Sequence, residues 1–241
     1  LTNLTSLCVL KNYQQIADQD FADLNCMLPN CLGLKELQIY ELRHNSSWPP
    51  VSDSIRTLKV TRCKLAHLPT LRSLPSLSHL EVDDLMYHVG DGETGRQAAS
   101  ALQDLVGVEF TVRNLEVLFS RDCEPVHSCD GLLQVLSSST HLPSGLSSLR
   151  LYRICLQPNQ LEQFAGLFPE VQTVFLSVCS FAPDQLIECA EVFSRLTCVT
   201  IHLRDEVKAA ALYHFCDGLL GACSAMQALR AGIGRELVLC F

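Results

Sequence analysis

One frame recurs along this chain: an apolar residue, two free positions, an apolar residue, one free position, a third apolar residue, two more free positions and then a small or polar residue. It is clearest at Leu146, Leu149, Leu151, Ile154 and Leu156, and again at Val171, Val174, Leu176, Cys179 and Phe181. Alternating apolar positions over so short a run predict a half-buried strand. A fixed period of this order predicts that each copy is one unit stacked on the next, and that no copy buries its own apolar face alone.

Two successive copies can be overlaid beyond the strand. Leu156 to Phe168 and Phe181 to Phe193 share Pro158/Pro183, Gln160/Gln185, Leu161/Leu186, Ala165/Ala190 and Phe168/Phe193. Each segment sets Pro near a first turn with Asn or Asp beside it, followed by apolar residues three and four apart, the spacing of a short amphipathic helix. These copies therefore read strand, loop, helix.

The same frame fits Leu4-Leu7-Val9-Asn12, Leu34-Leu37-Ile39, Ile55-Leu58-Val60-Cys63-Leu65 and Leu77-Leu80-Val82, with further copies at Leu115-Leu118-Cys123, Leu196-Val199-Ile201 and Met226-Leu229. Starts lie roughly 21 to 38 residues apart, at or above the usual period. Between Ile55 and Leu77 the returning segment, Ala66 to Pro75, holds too much Pro for a regular helix. Between Leu77 and Leu115 there is room for a polar loop at Gly90 to Gly95 and a helix from about Thr94 to Leu105. Two registers fit there, one starting at Leu115 and one at Leu105 with Val108 and Phe110. Cys63, Cys123 and Cys179 fall at the turn of the frame, where a small side chain packs under the bend.

Apolar residues make up 48% of the 241-residue chain and charged residues 18%, enough to build a core and too apolar for disorder. The frame runs from Leu4 to about Leu229 without a linker, so one elongated domain is expected. The chain starts inside a repeat and has no polar cap at either end, which reads as a fragment of a longer protein. A net charge of −8 argues against nucleic acid as the main ligand. No apolar stretch is long enough for a membrane span, because His214 and Asp217 interrupt the most hydrophobic late region. The 13 cysteines are scattered on apolar and turn positions, which favours free thiols and a cytoplasmic location. The sequons Asn3-Leu-Thr5 and Asn45-Ser-Ser47 point the other way but are expected at about this frequency by chance.

Two motifs invite chemistry. Gly90-Asp-Gly92-Glu-Thr-Gly95 has the spacing of a dinucleotide-binding loop, yet it sets Asp91 and Glu93 where a pyrophosphate would approach and repeat strands flank it. Cys123, His127 and Cys129 carry metal-ligating atoms without a second matching pair. Neither supports a cofactor or a metal, and no catalytic constellation is present, so no enzyme activity is expected.

Across nearly its whole length the chain resembles the leucine-rich-repeat family. The copies with Cys at the turn and a helix such as Pro183 to Phe193 are similar to the intracellular, ribonuclease-inhibitor-like repeats of NOD-like receptors and of F-box ubiquitin-ligase adaptors. The resemblance implies an α/β solenoid curved as a horseshoe, with parallel strands on the concave face and short helices and irregular segments on the convex face. It further implies the sensor and autoinhibitory region of a NOD-like innate immune receptor, with a protein or pathogen-derived ligand and an intramolecular contact to an upstream domain. The alternatives are substrate-recognition repeats of an F-box adaptor and a Toll-like receptor ectodomain.

On such a fold the free positions of the frame tile one face of the sheet. In chain order they are Gln38, Tyr40 and Glu41; Arg56, Lys59 and Arg62; Glu81, Asp83 and Asp84; Phe119, Arg121 and Asp122; and Arg150, Tyr152 and Arg153. The bland explanation is cross-strand charge pairing, as between Lys59 and Glu81. The sharper one is partner binding, because Tyr40, Phe119, Tyr152 and Phe175 interleaved with Arg have the composition of an interface. The candidate contact set is Tyr40, Lys59, Arg62, Glu81, Asp83, Phe119, Arg121, Arg150, Tyr152 and Arg153.

Overall fold

A computed structural model describes residues 4–9, 28–42, 53–89, 102, 105, 107–119, 129–139, 142–157, 159–177, 192–193, 195–202, 228–231 and 236–240. The predicted helices at Pro183 to Phe193 and Thr94 to Leu105, the loop at Gly90 to Gly95, and Cys123, His127 and Cys179 lie wholly or largely outside these residues.

Eight strands run parallel in one open sheet and in chain order, an α/β arrangement compatible with a solenoid. They are β1 (Ser6–Val9), β2 (Glu36–Leu42), β3 (Thr57–Lys64), β4 (His79–Val89), β5 (Glu109–Phe119), β6 (Ser148–Tyr152), β7 (Thr173–Ser177) and β8 (Cys198–His202). Each therefore pairs with the strand of the next sequence copy, the neighbour-to-neighbour stacking that the repeated frame demands.

The frame's anchors are the core. Leu37 and Ile39, Leu58 and Val60, Leu80 and Val82, Leu149 and Leu151, Val174 and Leu176, and Val199 and Ile201 are all buried, as are Leu34, Ile55, Leu77, Leu146, Val171 and Leu196. Cys63 is fully buried, but inside β3, between Leu42 and Leu85 of the neighbouring strands, rather than at the turn expected from the sequence, and Ile154 is buried at the equivalent frame position of its copy. Burying each such side chain stabilises the fold by roughly 1.5 to 3 kcal/mol. Leu4, Leu7 and Val9 are only partly buried, and among the described residues β1 is the edge strand of the sheet.

Just before the strands a second repeating device appears. The carbonyls of Thr5, Lys35, Arg56, Ser147 and Gln172 each accept two successive backbone N–H groups from the start of the following strand. Ser78, Ser147 and Thr197 add hydroxyl donations to the carbonyls of Arg56, Arg113 and Gln172. Backbone groups at the turns are thereby satisfied by the adjacent copy.

The stretch between Leu85 and Leu115 adopts neither predicted register. Leu80 pairs with Phe110 and Val82 with Val112, so the anchors of β5 lie two residues beyond Val108 and Phe110. Further along, Leu115 pairs with Leu149 and Val117 with Leu151. Strands β4 and β5, 11 residues each, thus carry two inward pairs apiece, and the second pair of β5 takes the register of every later copy. The frame slips along the strand direction here, and Leu118, placed in the core by the register starting at Leu115, instead pairs with Tyr152 on the other face.

On the core side, the Pro-rich segment forms a 3₁₀ helix, Leu65–Ser73, with Pro69 inside and Leu65, Leu68 and Leu71 buried. The α-helix predicted after Pro158 spans Gln160–Leu167 (α2), while α1 (Asp130–Ser138) has no counterpart among the sequence expectations. The fully buried Gln160 ties them together: its amide nitrogen donates to Asp130 Oδ1 at 2.7 Å and its amide oxygen accepts from the Gln157 backbone at 3.0 Å.

Parallel stacking stops at β8. Strand β10 (Glu236–Cys240) lies antiparallel between β8 and β9 (Ala228–Ala231), so the predicted copy at Met226-Leu229 supplies a strand that does not stack on β8. Antiparallel pairing satisfies the backbone groups of β8 without another inward-facing repeat. Among the described residues no helix is long and apolar enough to cross a membrane.

Candidate partner-binding face

Side chains opposite the core form rows that cross the strands. One row reads Glu36, Thr57, His79 and Glu109, and the next reads Gln38, Lys59, Glu81 and Thr111. Lys59 sits between two carboxylates, 3.2 Å from Glu36 and 3.8 Å from Glu81. The Glu36 hydrogen bond and charge, helped by Glu81, raise its pKa. Asp83 pairs with Arg113 at 3.3 Å and His79 with Glu109 at 3.1 Å. The cross-strand pairing of Lys59 with Glu81 is thus present, and being solvated it contributes little to stability.

Nearer the strand ends the pairing tightens. Arg150 donates to Glu116 at 2.8 Å and lies 3.7 Å from Asp84, which also accepts from Asn114 at 2.8 Å. Glu116 is buried although it points away from the core, and so is Met86 beside it. Burial works against the Arg150 charge, but the Glu116 hydrogen bond and the Glu116 and Asp84 charges outweigh it and raise the pKa. Arg62 donates to the Met86 sulfur at 3.4 Å.

Beyond Arg150 the face changes character. Tyr152, Phe175 and His202 stand on three successive strands, with ring centroids 5.4 Å and 4.7 Å apart in tilted and edge-on geometry. All three are half-buried, and such pairs add about 0.5 to 1.5 kcal/mol beyond their buried area. Burial and the neighbouring Glu116 push the Tyr152 phenol above its ordinary pKa, so it stays a neutral donor.

A hydroxyl, an imidazole and a carboxylate also line up at the strand starts: Ser78 Oγ is 2.8 Å from His79 Nδ1, and His79 Nε2 is 3.1 Å from Glu109. His79 and Glu109 border a shallow depression of about 270 Å³ that Thr57, Glu81 and Thr111 also line. The Ser78 hydroxyl also lies 3.1 Å from the Arg56 carbonyl, a contact of the kind that Ser147 and Thr197 repeat two and four strands on.

Of the predicted contact residues, Tyr40, Lys59, Arg62, Glu81, Asp83, Arg150, Tyr152 and Arg153 are partly or fully exposed along this side of the sheet or at its end. Phe119 is the last residue of β5, and Arg121 lies outside the described residues. The sequence reading did not find Glu116, Asn114 or His202. The signal for Glu116 was its place between Leu115 and Val117, a second inward pair in one long strand. Among the described residues no cluster of His, Cys, Asp and Glu is arranged to hold a metal, and Cys129 is buried. Cys8, Cys31, Cys63, Cys129, Cys155 and Cys198 are free thiols. Compared with models of protein families and with curated proteins, the chain matches none.

Proposed function

We propose that this chain is a protein-interaction domain of the leucine-rich-repeat kind, a curved solenoid that captures a polypeptide on the exposed face of its parallel sheet. One observation carries the reading: three rings, Tyr152, Phe175 and His202, stand side by side and half-exposed on adjacent strands, next to the Arg150–Glu116 pair. Aromatic rings with an adjacent Arg are what interface hot spots are made of. The resemblance of the strand-loop-helix copies to intracellular repeats extends the proposal to the sensor and autoinhibitory region of a cytoplasmic NOD-like receptor. In that role a ligand acts only through its difference in affinity for the closed and open states.

Site-specific photocrosslinking tests the reading. A benzophenone side chain at Phe175 is expected to trap a polypeptide partner, whereas the same group at the exposed Glu162 on α2 traps none. Equal yields at the two positions would contradict it.

A further inference from the structure

The strands beneath the aromatic row differ in charge from the rest of the parallel sheet. Strands β2 to β5 each hold two or more Asp, Glu, Lys or Arg residues and β6 holds Arg150, whereas β7 and β8 hold none. Opposite the core these two strands present Thr173, Phe175 and Ser177, then Cys198, Thr200 and His202, and all but the exposed Thr173 are half-buried. Arg150, the register partner of Phe175, is bonded to Glu116 and Asp84 on the far side, away from β7. A charged segment laid over β7 and β8 would lose water without gaining a counter-ion from either strand, so this surface selects an uncharged one.

The row also has a pitch. Tyr152, Ser177 and His202 are register partners, so Tyr152 and His202 stand two strand spacings apart, roughly 9.6 Å, and Phe175 rises between them from the middle strand. The ring-to-ring steps of 5.4 Å and 4.7 Å are compatible with that span. A polyproline II helix has three residues per turn and advances about 3.1 Å per residue, so residues i and i+3 return to one face about 9.3 Å apart. An extended strand repeats every roughly 6.7 Å and falls out of step with the rings. The polyproline form also leaves its carbonyls without internal hydrogen bonds, whereas an α-helix satisfies its own. On this ridge the neutral Tyr152 phenol and the Thr200 hydroxyl can donate to such carbonyls.

We infer that the Tyr152–Phe175–His202 ridge binds an uncharged, proline-rich polypeptide segment in the polyproline II form, running across the strands, with prolines three residues apart seated on either side of Phe175. The inference rests on the protein-interaction reading above and specifies its partner. Because such a segment is already extended before it binds, little ordering opposes its capture on a shallow sheet face.

Random linear peptides displayed on phage and selected on the full chain test this. Recovered peptides are expected to carry Pro-x-x-Pro without Asp, Glu, Lys or Arg between the prolines, and decaproline is expected to compete with them. Their affinity is expected to fall about tenfold on Phe175→Ala, on Tyr152→Ala, or when one residue is inserted between the two prolines, and about fivefold on Tyr152→Phe, which removes only the hydroxyl. The insertion alters the peptide alone, so it reads the pitch whatever a variant does to folding. Recovery of peptides without paired prolines, of charged peptides, or of peptides indifferent to the insertion overturns the proposal. If those winners still lose affinity on Phe175→Ala, the face remains an interaction surface and only its assigned partner falls. No recovery at all, or winners indifferent to Phe175→Ala, removes both.

Discussion

Strands β3 and β7 follow the same frame and bury equivalent anchors, Leu58 and Val60 in one, Val174 and Leu176 in the other, yet beyond a shared first Thr their exposed faces differ. Strand β3 presents Thr57, Lys59, Arg62 and Lys64, whereas β7 presents Thr173, Phe175 and Ser177. The core positions are constrained by packing, and the free positions are constrained only by what they meet. On β3 Lys59 meets carboxylates on β2 and β4 and Arg62 meets the Met86 sulfur, while on β7 the ring of Phe175 meets Tyr152 and His202 and is half-buried. Lys59 thus has its partners within the sheet, whereas Phe175 on the aromatic side is half-exposed among the described residues.

The largest expected effect tests whether the two halves share one core. Leu58→Ala and Leu149→Ala, both at fully buried anchors, should each lower unfolding free energy by about 2 to 5 kcal/mol in urea titrations. A loss below about 1 kcal/mol at either site would show that its strand does not face the core. Next comes the ion pair at the boundary. Glu116→Ala removes the carboxylate bonded to Arg150 at 2.8 Å in a buried setting and should cost about 1 to 3 kcal/mol. Its exposed counterpart, Glu81→Ala, should stay within about 0.5 kcal/mol because Lys59 keeps Glu36.

Alkaline pH should sharpen the comparison further. Burial raises the pKa of the Cys63 thiol and of the Tyr87 and Tyr152 phenols. The folded state therefore holds protons that the unfolded chain releases, so the stabilisation is complete below the unfolded pKa values and is lost as pH climbs through the folded ones. Melting temperature is expected to fall from about pH 9 upward, and Cys63→Ser is expected to remove the earliest part of that fall. A flat profile to pH 11 would contradict the burial of these groups. The smallest expected change in stability is at the proposed contact: Phe175→Ala should cost about 1 kcal/mol or less by thermal denaturation.

Much of this architecture is legible in the sequence because burial repeats. Leu34-Leu37-Ile39, Ile55-Leu58-Val60 and Val171-Val174-Leu176 are frame positions and core positions alike. The Pro content of Ala66 to Pro75 likewise argues against a regular helix, since a ring at Pro69 removes a donor from a helix interior, and the segment returns as a 3₁₀ helix, a form the sequence reading does not specify. What escaped has a physical reason. A parallel strand carries the same alternation wherever it is read, so the double-length β5 offers two inward pairs, Phe110/Val112 and Leu115/Val117, and only the neighbouring strands decide which belongs to which side. The inserted β10 is invisible for the same reason, because strand direction leaves no mark on apolar periodicity. Among the site residues, Tyr152 and Arg150 stand at frame positions, whereas Glu116 and His202 acquire meaning only from the strands placed beside them.

The most direct test of the division between a self-satisfied charged half and an unfilled aromatic half is a paired calorimetric titration of one selected peptide against Phe175→Ala and Lys59→Ala. Affinity should fall at least about tenfold for Phe175→Ala and change less than about twofold for Lys59→Ala. Equal losses, or a larger loss at Lys59, would contradict the account.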